Sequence, residues 1–204
     1  ENNGIKVKKD NLLKLSENFS EQLAKLQEKI FLCSSIEFNI NSTKQLGEII
    51  FDKLKIPGAK KNKSGSFSTN SEVLETLAEQ GYEIASLVLS WREISKLKNT
   101  YTESLTNNIS NKTNRVHTTI QMTGAQTGRF SSTDPNLQNI PIKSKNGKEI
   151  RKAFVSEKGY KLVCFDYSQI ELRLLAEIAK IEKLRKAFNQ GLDIHKLTAS
   201  QIFN

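Results

Sequence analysis

Cysteine is scarce in this sequence: only Cys33 and Cys164 occur among its 204 residues. Both lie within apolar runs, so we expect two reduced side chains in the protein core and an intracellular compartment. Two cysteines are too few for a disulfide-rich scaffold or for a zinc site built from thiolates. The shortage of cysteine therefore excludes two common ways of stabilising a small secreted protein.

Long apolar runs are also missing. No stretch approaches the roughly 18 consecutive apolar residues that a membrane-spanning helix needs. The first residues, Glu-Asn-Asn-Gly-Ile-Lys-Val, lack the charged and then apolar order of a secretory signal. We therefore expect no membrane partner. Neither end of the sequence has the character of a natural terminus, so we expect a fragment of a longer protein.

Acidic residues are outnumbered by basic ones. The chain has 31 Lys and Arg against 22 Asp and Glu, which gives a formal net charge of +9. This balance favours a polyanionic partner, and nucleic acid more than a membrane surface. With 204 residues, the chain is long enough to bury a core as one large domain or two small ones.

The most informative stretch runs from Lys161 to Ala176. Its apolar run Leu162–Phe165 predicts a buried strand, and the apolar spacing then becomes helical, with Ser168 as a candidate N-cap. At the junction lies Asp166, a carboxylate that is costly beside a buried strand unless a charged group meets it. Asp166 is either a ligand of a divalent cation such as Mg²⁺ or a cap of the following helix, and the spacing does not choose between them.

Three motifs carry a family resemblance. Asp166-Tyr-Ser-Gln-Ile-Glu171 resembles motif A of the family A DNA polymerases, the bacterial DNA polymerase I type. The segment Thr127–Pro141 is similar to the second signature of that family, and Asp193-Ile-His195 to a later one. The motifs occur in the family's order and approximate spacing. The similarity extends from about Gly4 to the end of the chain.

The resemblance implies an α+β fold that is predominantly helical. An elongated helical thumb would stand on a partial antiparallel-sheet palm, and the chain would end before the fingers are complete. We expect residues 1–115 to form the thumb and its base, 116–180 the partial palm with motif A, and 181–204 the start of the fingers.

Apolar periodicity supports these divisions. Residues recurring at steps of three and four predict a long helix from Asp10 to about Cys33. Alternating residues from Val116 to Met122 predict a strand. The other predicted helices are one capped by Ser42 and ending before Pro57, one opened by a capping box at Thr69 and Glu72, one from about Glu83 to Leu105, and two at Ile181–Phe188 and Asp193–Phe203.

Three residues near Gly128 are expected to contact DNA. Arg129 has the character of a structural clamp on composition alone, but the resemblance implies a contact with the primer-terminal base pair. Gln138 and Asn139 would line the same DNA track. Their short polar side chains suit the minor-groove acceptors, which occupy similar places in every base pair.

The segment Ala59–Asn70 is basic and almost without apolar residues. Composition indicates a solvated loop. In the resembled family this segment belongs to the thumb, which implies a tip that grips DNA phosphates through Lys60, Lys61 and Lys63.

The resemblance also assigns roles around motif A. Asp166 would bridge two Mg²⁺ ions, and the backbone carbonyl of Tyr167 would complete one coordination shell. Glu171 is either a solvated glutamate on the helix surface or, by resemblance, a steric gate against the ribose 2′-hydroxyl. The residues expected beside the incoming nucleotide are Gln169, Glu171, His195 and Lys143.

Lys143 and Arg151 lie in a densely basic segment that is either a solvated turn or a phosphate-contacting surface. The family usually carries arginine where Lys143 stands. Lysine keeps the charge but lacks the bidentate fork of arginine. We read no catalytic role in Glu177–Ile181, where the family pattern is also different.

The implied reaction is nucleotidyl transfer from a dNTP to a primer 3′-hydroxyl with release of pyrophosphate, in DNA replication and repair. The partners would be primer-template DNA and dNTP, the protein a monomer, and its location cytoplasmic and nucleoid-associated in a bacterium, with an organelle as the alternative. The family's other metal-binding carboxylates belong to motifs not found before Asn204, so we expect these residues alone to be inactive.

Three other functions remain open at this point. A non-catalytic DNA-binding module would need no turnover. A single-subunit RNA polymerase shares a metal-binding aspartate, but Glu171 argues against an enzyme that must accept the 2′-hydroxyl. A helical interaction scaffold fits the first 110 or so residues and leaves the motifs unexplained.

Overall fold

The computed structural model describes residues 1–62 and 65–203. By contacts the chain divides into two compact units, Glu1–Lys161 and Leu162–Asn204. Helices dominate, and the strands form small antiparallel sheets, which confirms the predicted α+β class. Within the described part of the chain, no helix combines the length and apolarity needed to cross a membrane.

Helices make up most of the first unit. The long helix predicted from Asp10 to about Cys33 is confirmed, and it ends where Ser35 adopts a left-handed conformation (φ 52°). Ser42 caps the next helix as predicted, accepting a hydrogen bond from the Gln45 amide. The helices of this unit are α1 Lys9–Ser34, α2 Thr43–Gly47, α3 Ser71–Glu79, α4 Glu83–Leu97, α5 Ser104–Asn107 and α6 Lys145–Arg151.

Two helices continue in a π-helical conformation. Glu48–Lys53 extends α2, and Lys98–Glu103 links α4 to α5. The segment predicted as a single helix from about Glu83 to Leu105 is therefore helical throughout. Between Lys98 and Glu103, however, its backbone hydrogen bonds follow the π-helical pattern and not the α-helical one. Thr102 lies in this second π-helical segment, and its buried hydroxyl donates to the carbonyl of Lys98.

The start of α3 corrects the predicted capping box. The cap is Asn70, whose side chain accepts a hydrogen bond from the Val73 amide at 3.0 Å. Thr69 is instead buried, and both its carbonyl and its hydroxyl oxygens accept hydrogen bonds from the guanidinium of Arg92. These hydrogen bonds connect the segment that precedes α3 to α4.

Two clusters of buried apolar side chains form the core of the first unit. One includes Ile30 of α1 and Val88 of α4, and the other includes Phe19 of α1 and Leu97 of α4. Full burial of an aliphatic or aromatic side chain of this size stabilises the fold by about 1.5–3 kcal/mol. Because α1 and α4 contribute to both clusters, the same helix pair holds the whole unit together.

Small antiparallel sheets complete the first unit. The three-stranded sheet places β1 (Ile5–Val7) between β2 (Arg115–Val116) and β5 (Phe154–Val155). In the second sheet, β3 (Thr119–Gln121) pairs with β4 (Ser131–Thr133).

The predicted strand from Val116 to Met122 is therefore split between the two sheets. The break falls at Thr118, whose hydroxyl lies 2.9 Å from the carbonyl oxygen of Pro135 and 2.6 Å from the hydroxyl of Ser132. These side-chain bonds turn the chain from one sheet into the other.

The second unit contains α7 (Ile170–Ile178), α8 (Glu182–Asn189) and α9 (Ile194–Ile202). The two predicted helices at Ile181–Phe188 and Asp193–Phe203 are confirmed as α8 and α9.

The predicted buried strand Leu162–Phe165 is wrong. This segment has no regular structure, and Phe165 is 92% exposed. A strand needs a hydrogen-bonded neighbour, and the described residues of this unit contain no other strand. The expectation of two core cysteines fails here as well, because Cys164 is exposed. Cys33 is half-buried, and its burial, with a smaller contribution from the charge of Glu83, raises the pKa of its thiol.

Candidate nucleotide and nucleic-acid site

The turn that begins at Asp166 leads directly into α7. Gln169 precedes the helix in a left-handed conformation (φ 54°, ψ 36°), and its side chain makes no capping hydrogen bond. The prediction that Ser168 caps α7 is therefore wrong. Because the chain changes direction at the left-handed Gln169, it is Gln169 that takes the N-cap position. The carbonyl oxygen of Ser168 instead accepts a hydrogen bond from the Nε of Arg173 at 3.0 Å.

A cavity of about 330 Å³ opens beside this turn. It brings together Tyr167, Gln169 and Glu171 from motif A and His195 from the first turn of α9. The side chain of Asp193 caps α9 by accepting hydrogen bonds from the amides of His195 and Lys196. Four residues chosen from the sequence thus meet at one place, and the volume is at the lower end of the range for small-molecule sites.

Asp166 is exposed at the start of the same turn. Among residues 1–62 and 65–203, no three His, Cys, Asp or Glu side chains form a group able to hold a metal ion. The Asp166 carboxylate and the Tyr167 carbonyl are both hard oxygen donors. Mg²⁺ commonly takes one or two protein carboxylates and completes its shell with water and phosphate oxygens. These two donors therefore fit a magnesium site as part of its ligand set.

The residues expected to contact DNA lie in the first unit, around the β3–β4 hairpin. Arg129 is exposed in the loop between these strands. The Gln138 side chain donates a hydrogen bond to the carbonyl of Phe130 at 2.9 Å and accepts one from the Ser132 amide at 3.1 Å. Gln138 therefore holds the backbone on both sides of Ser131, the first residue of β4. This position follows shortly after Arg129 in the chain. No pattern in the sequence predicts these two hydrogen bonds of Gln138.

Asn139 is exposed, and its backbone carbonyl accepts a hydrogen bond from the hydroxyl of Tyr101. Tyr101 itself is 2% exposed within the core. One side of the Asn139 residue is thus fixed to the core, while its amide side chain faces solvent.

Lys143 is exposed immediately before α6, which Ser144 caps by accepting a hydrogen bond from the Gly147 amide at 3.2 Å. The guanidinium of Arg151 donates to the carbonyl oxygens of Pro141 (3.2 Å) and Ile140 (3.0 Å). Arg151, for which the sequence left a solvated turn and a phosphate contact open, holds the backbone that leads to Lys143.

The basic segment in the first unit folds back on itself. The Ser68 amide donates to the carbonyl of Lys60 at 2.7 Å, and Lys61 pairs with Phe67 across the turn. The Lys61 ammonium lies 5.3 Å from the centroid of the Phe67 ring, within the range of a cation–π contact. Lys60 and Lys61 are both exposed, whereas Lys63 lies outside the described residues.

The sequence model of DNA polymerase family A matches residues 9–204. The chain belongs to DNA polymerase family A. The resemblance inferred from motif A and its companions is thereby confirmed for nearly the whole length of the chain.

Relatives within family A are DNA polymerase I proteins of bacteria. DNA polymerase I of Caldicellulosiruptor bescii is 47% identical over 203 residues, which cover 100% of this chain and 24% of that protein. The Bacillus subtilis protein is 46% identical over 205 residues, covering 100% of this chain and 23% of its own length. The Rhizobium leguminosarum protein is 46% identical over 200 residues, which cover 98% of this chain and 20% of that protein. The chain thus spans about a fifth to a quarter of these curated relatives.

A solved family A structure has the same fold. The POL domain of Pol1 from M. smegmatis, in complex with a DNA primer-template and dNTP, matches with a TM-score of 0.85 and 38% sequence identity. The match covers 98% of this chain and 35% of that one. The agreement supports the helical α+β architecture described above.

Proposed function

We propose that the protein carries out template-directed DNA synthesis, transferring a nucleotidyl group from a dNTP to a primer 3′-hydroxyl with release of pyrophosphate, in replication and repair. The observation that carries this proposal is the cavity where Tyr167, Gln169, Glu171 and His195 meet in a chain of family A. The M. smegmatis relative was solved with a primer-template and dNTP, which supports the same two partners here.

Asp166 and the carbonyl of Tyr167 are the proposed magnesium ligands of this chain, with two ions in the complete enzyme. Bound magnesium would neutralise phosphate charge and lower the pKa of the attacking hydroxyl. Phosphoryl transfer depends chiefly on positioning and charge neutralisation, so the protein's task at this point is to present these oxygens at a fixed place. Asp166 is exposed at the end of the irregular segment and is accessible to such a ligand.

The cavity residues would hold the nucleotide. Glu171 fills the space that a ribose 2′-hydroxyl would need and so excludes ribonucleotides. Gln169 contributes hydrogen-bonding groups beside it, and His195 approaches the phosphates from the start of α9. Lys143, exposed before α6, is proposed as a further phosphate-binding cation that lacks the fork of an arginine.

The remaining basic and amide residues would bind the DNA. Arg129, Gln138 and Asn139 contact the minor groove near the primer terminus, independently of sequence. The residues proposed to grip phosphates are Lys60, Lys61 and Lys63. In this proposal residues 1–115 are the thumb and its base, 116–180 the partial palm and 181–204 the start of the fingers. The protein acts as a monomer in the bacterial cytoplasm at the nucleoid.

Substitution of Asp166 tests the proposal. In the full-length protein, we expect Asp166→Asn to lower the rate of primer extension by about a thousandfold, because a metal-bound carboxylate supplies several kcal/mol of stabilisation. Asp52→Asn, which changes another exposed carboxylate, is the matched control and should leave the rate unchanged. Normal extension by the Asp166 variant would overturn the assignment.

The isolated 204 residues have a second candidate function, as a DNA-binding module without turnover. The observation that favours it is that Lys60, Arg129 and Asn139 are exposed in the first unit, while Asp166 and the Tyr167 carbonyl supply only part of a magnesium ligand set. We propose that these residues alone bind DNA weakly and extend no primer. Asp166-dependent extension by the isolated chain would contradict this.

A further inference from the structure

Arg173 joins three parts of the second unit. It lies in the first turn of α7, and its Nε donates a hydrogen bond to the Ser168 carbonyl at 3.0 Å. Its guanidinium carbon also lies over the ring of Phe188 on α8, 4.5 Å from the ring centroid. One side chain thereby connects the motif A turn, the helix that follows it and the next helix along the chain.

The turn needs such a connection because of Gln169. A left-handed conformation is unfavourable for a residue with a Cβ, and persists only where the surroundings fix it. Gln169 supplies no capping hydrogen bond of its own. The two carbonyls that bracket the strained residue are both held by Arg173: the Ser168 carbonyl by its side chain and the Gln169 carbonyl by its backbone amide, at 3.1 Å.

The chemistry of arginine suits this double contact. Its planar guanidinium can donate to a carbonyl from Nε while its face rests on an aromatic ring. A lysine ammonium has neither the plane nor a donor at the Nε position.

The packing of α7 against α8 has a second support that does not involve the turn. Arg185 of α8 forms ion pairs with Glu177 of α7 (3.0 Å) and with Glu182 (2.8 Å). A substitution of Arg185 therefore disturbs the packing of α7 against α8 without removing the contact of Arg173 with the Ser168 carbonyl.

We propose that Arg173 is a positioning residue for sugar discrimination, and that it acts by fixing the turn between Tyr167 and Glu171. Both of these residues line the 330 Å³ cavity, one on each side of the turn that Arg173 holds. If the turn relaxes, the gate at Glu171 no longer stands at a fixed distance from the sugar. This inference rests on the proposed polymerase function.

The test measures nucleotide selectivity in the full-length protein. The quantity is kcat/KM for a dNTP divided by kcat/KM for the matching ribonucleotide, because loss of folded protein lowers both values equally and leaves their ratio unchanged. We expect Arg173→Leu to lower this ratio by about threefold to tenfold, as befits an exposed charge-assisted hydrogen bond with a ring contact. Phe188→Leu, which removes only the ring, should lower it less.

Three further variants make the test specific. Arg173→Lys should not restore the ratio, and full restoration would show that charge alone matters and overturn the proposal. With Glu171→Ala already present, adding Arg173→Leu should change the ratio by less than about twofold, since the gate is gone. Arg185→Gln breaks the other link between α7 and α8 and should leave the ratio at the wild-type value.

The outcomes separate the two levels of inference. A wild-type ratio in Arg173→Leu, together with a lowered ratio in Glu171→Ala, overturns the role of Arg173 and leaves the polymerase function standing. Failure of the wild-type protein to incorporate either nucleotide overturns both. If Arg173→Leu does not fold, Phe188→Leu and Arg173→Lys decide the question by the same ratio.

Discussion

Tyr101 donates its hydroxyl hydrogen to the backbone carbonyl of Asn139. The tyrosine belongs to the π-helical segment after α4 and is buried among the second cluster of core residues. The asparagine belongs to the segment expected to follow the DNA. This bond therefore ties a surface segment of proposed function to the hydrophobic core, and burial raises the pKa of the Tyr101 phenol above its ordinary value.

Tyr101→Phe removes this donor and leaves the Asn139 carbonyl without it. We expect the free energy of unfolding to fall by about 0.5–1.5 kcal/mol, the usual net contribution of one intramolecular hydrogen bond. Denaturant titration measures the difference. Tyr160→Phe is the matched control, because Tyr160 is 76% exposed and should change stability little. Equal stability of Tyr101→Phe and the wild type would show that the bond contributes nothing.

Glu157 makes stability depend on pH. Its carboxylate accepts hydrogen bonds from Lys6 (2.6 Å) and Arg115 (3.2 Å), and the bond from Lys6, followed by that from Arg115, lowers its pKa. A lowered folded-state pKa stabilises the fold above the unfolded pKa, and this contribution is lost as the pH falls through the folded value. We expect Glu157→Gln to lower Tm at about pH 7 and to approach the wild type as the pH falls below about 4.

Thermal melts of both proteins across this pH range test the dependence on Glu157. Glu75→Gln, at an exposed position of α3, is the control and should show no such convergence. A constant Tm difference at every pH would exclude the ionised pair as its source.

Glu171→Ala should admit ribonucleotides in the full-length protein. Removing the side chain opens space for a 2′-hydroxyl, and steric discrimination of a group this small is worth roughly tenfold or more. Primer extension with dNTP and ribonucleotide gives the ratio. Glu177→Ala changes a glutamate of the same helix that lines a different cavity, and should keep the discrimination intact. Unchanged discrimination in Glu171→Ala would refute the gate.

Lys60 and Lys61 should contribute to DNA affinity through phosphates. We expect the double variant Lys60→Gln/Lys61→Gln to weaken binding to duplexes of any sequence and to reduce the slope of log K against log salt by about one per lost contact. Fluorescence anisotropy at several salt concentrations measures both. Lys14→Gln/Lys25→Gln on α1 removes the same charge from another exposed surface and should leave the slope nearly unchanged. If both double variants gave the same slope of log K against log salt, the loss of affinity would reflect net charge alone and not phosphate contacts of Lys60 and Lys61.

Helices with strong periodicity could be predicted from the sequence. The apolar stripe of α1 has an internal period that fixes its conformation and its buried face without knowledge of the rest of the fold, and Phe19 and Ile30 are buried as expected. The grouping of Gln169, Glu171 and His195 was also predictable, because the motifs specify residues in a known order. The first success depends on periodicity within one stretch of the chain, and the second on the resemblance of separate motifs to a known family.

The failures concern partners that a local pattern does not specify. Leu162–Phe165 has the composition of a strand, but a strand also needs a neighbour, and the pattern does not say which segment supplies it. Thr69 and Asn70 are both good caps by residue type, and the choice between them depends on backbone angles set by the contact with Arg92. The bond between Arg173 and Ser168 likewise depends on the left-handed turn, which no residue preference at Gln169 predicts.

Leu23 and Leu26, near the middle of α1, pack against both clusters of core residues. Bending the helix between the clusters would open both at once, so the first unit lacks a soft point along this helix. Local bending of α1 at Leu23 and Leu26 is therefore opposed by apolar packing in both clusters, which makes this helix a common support for the two parts of the unit's core.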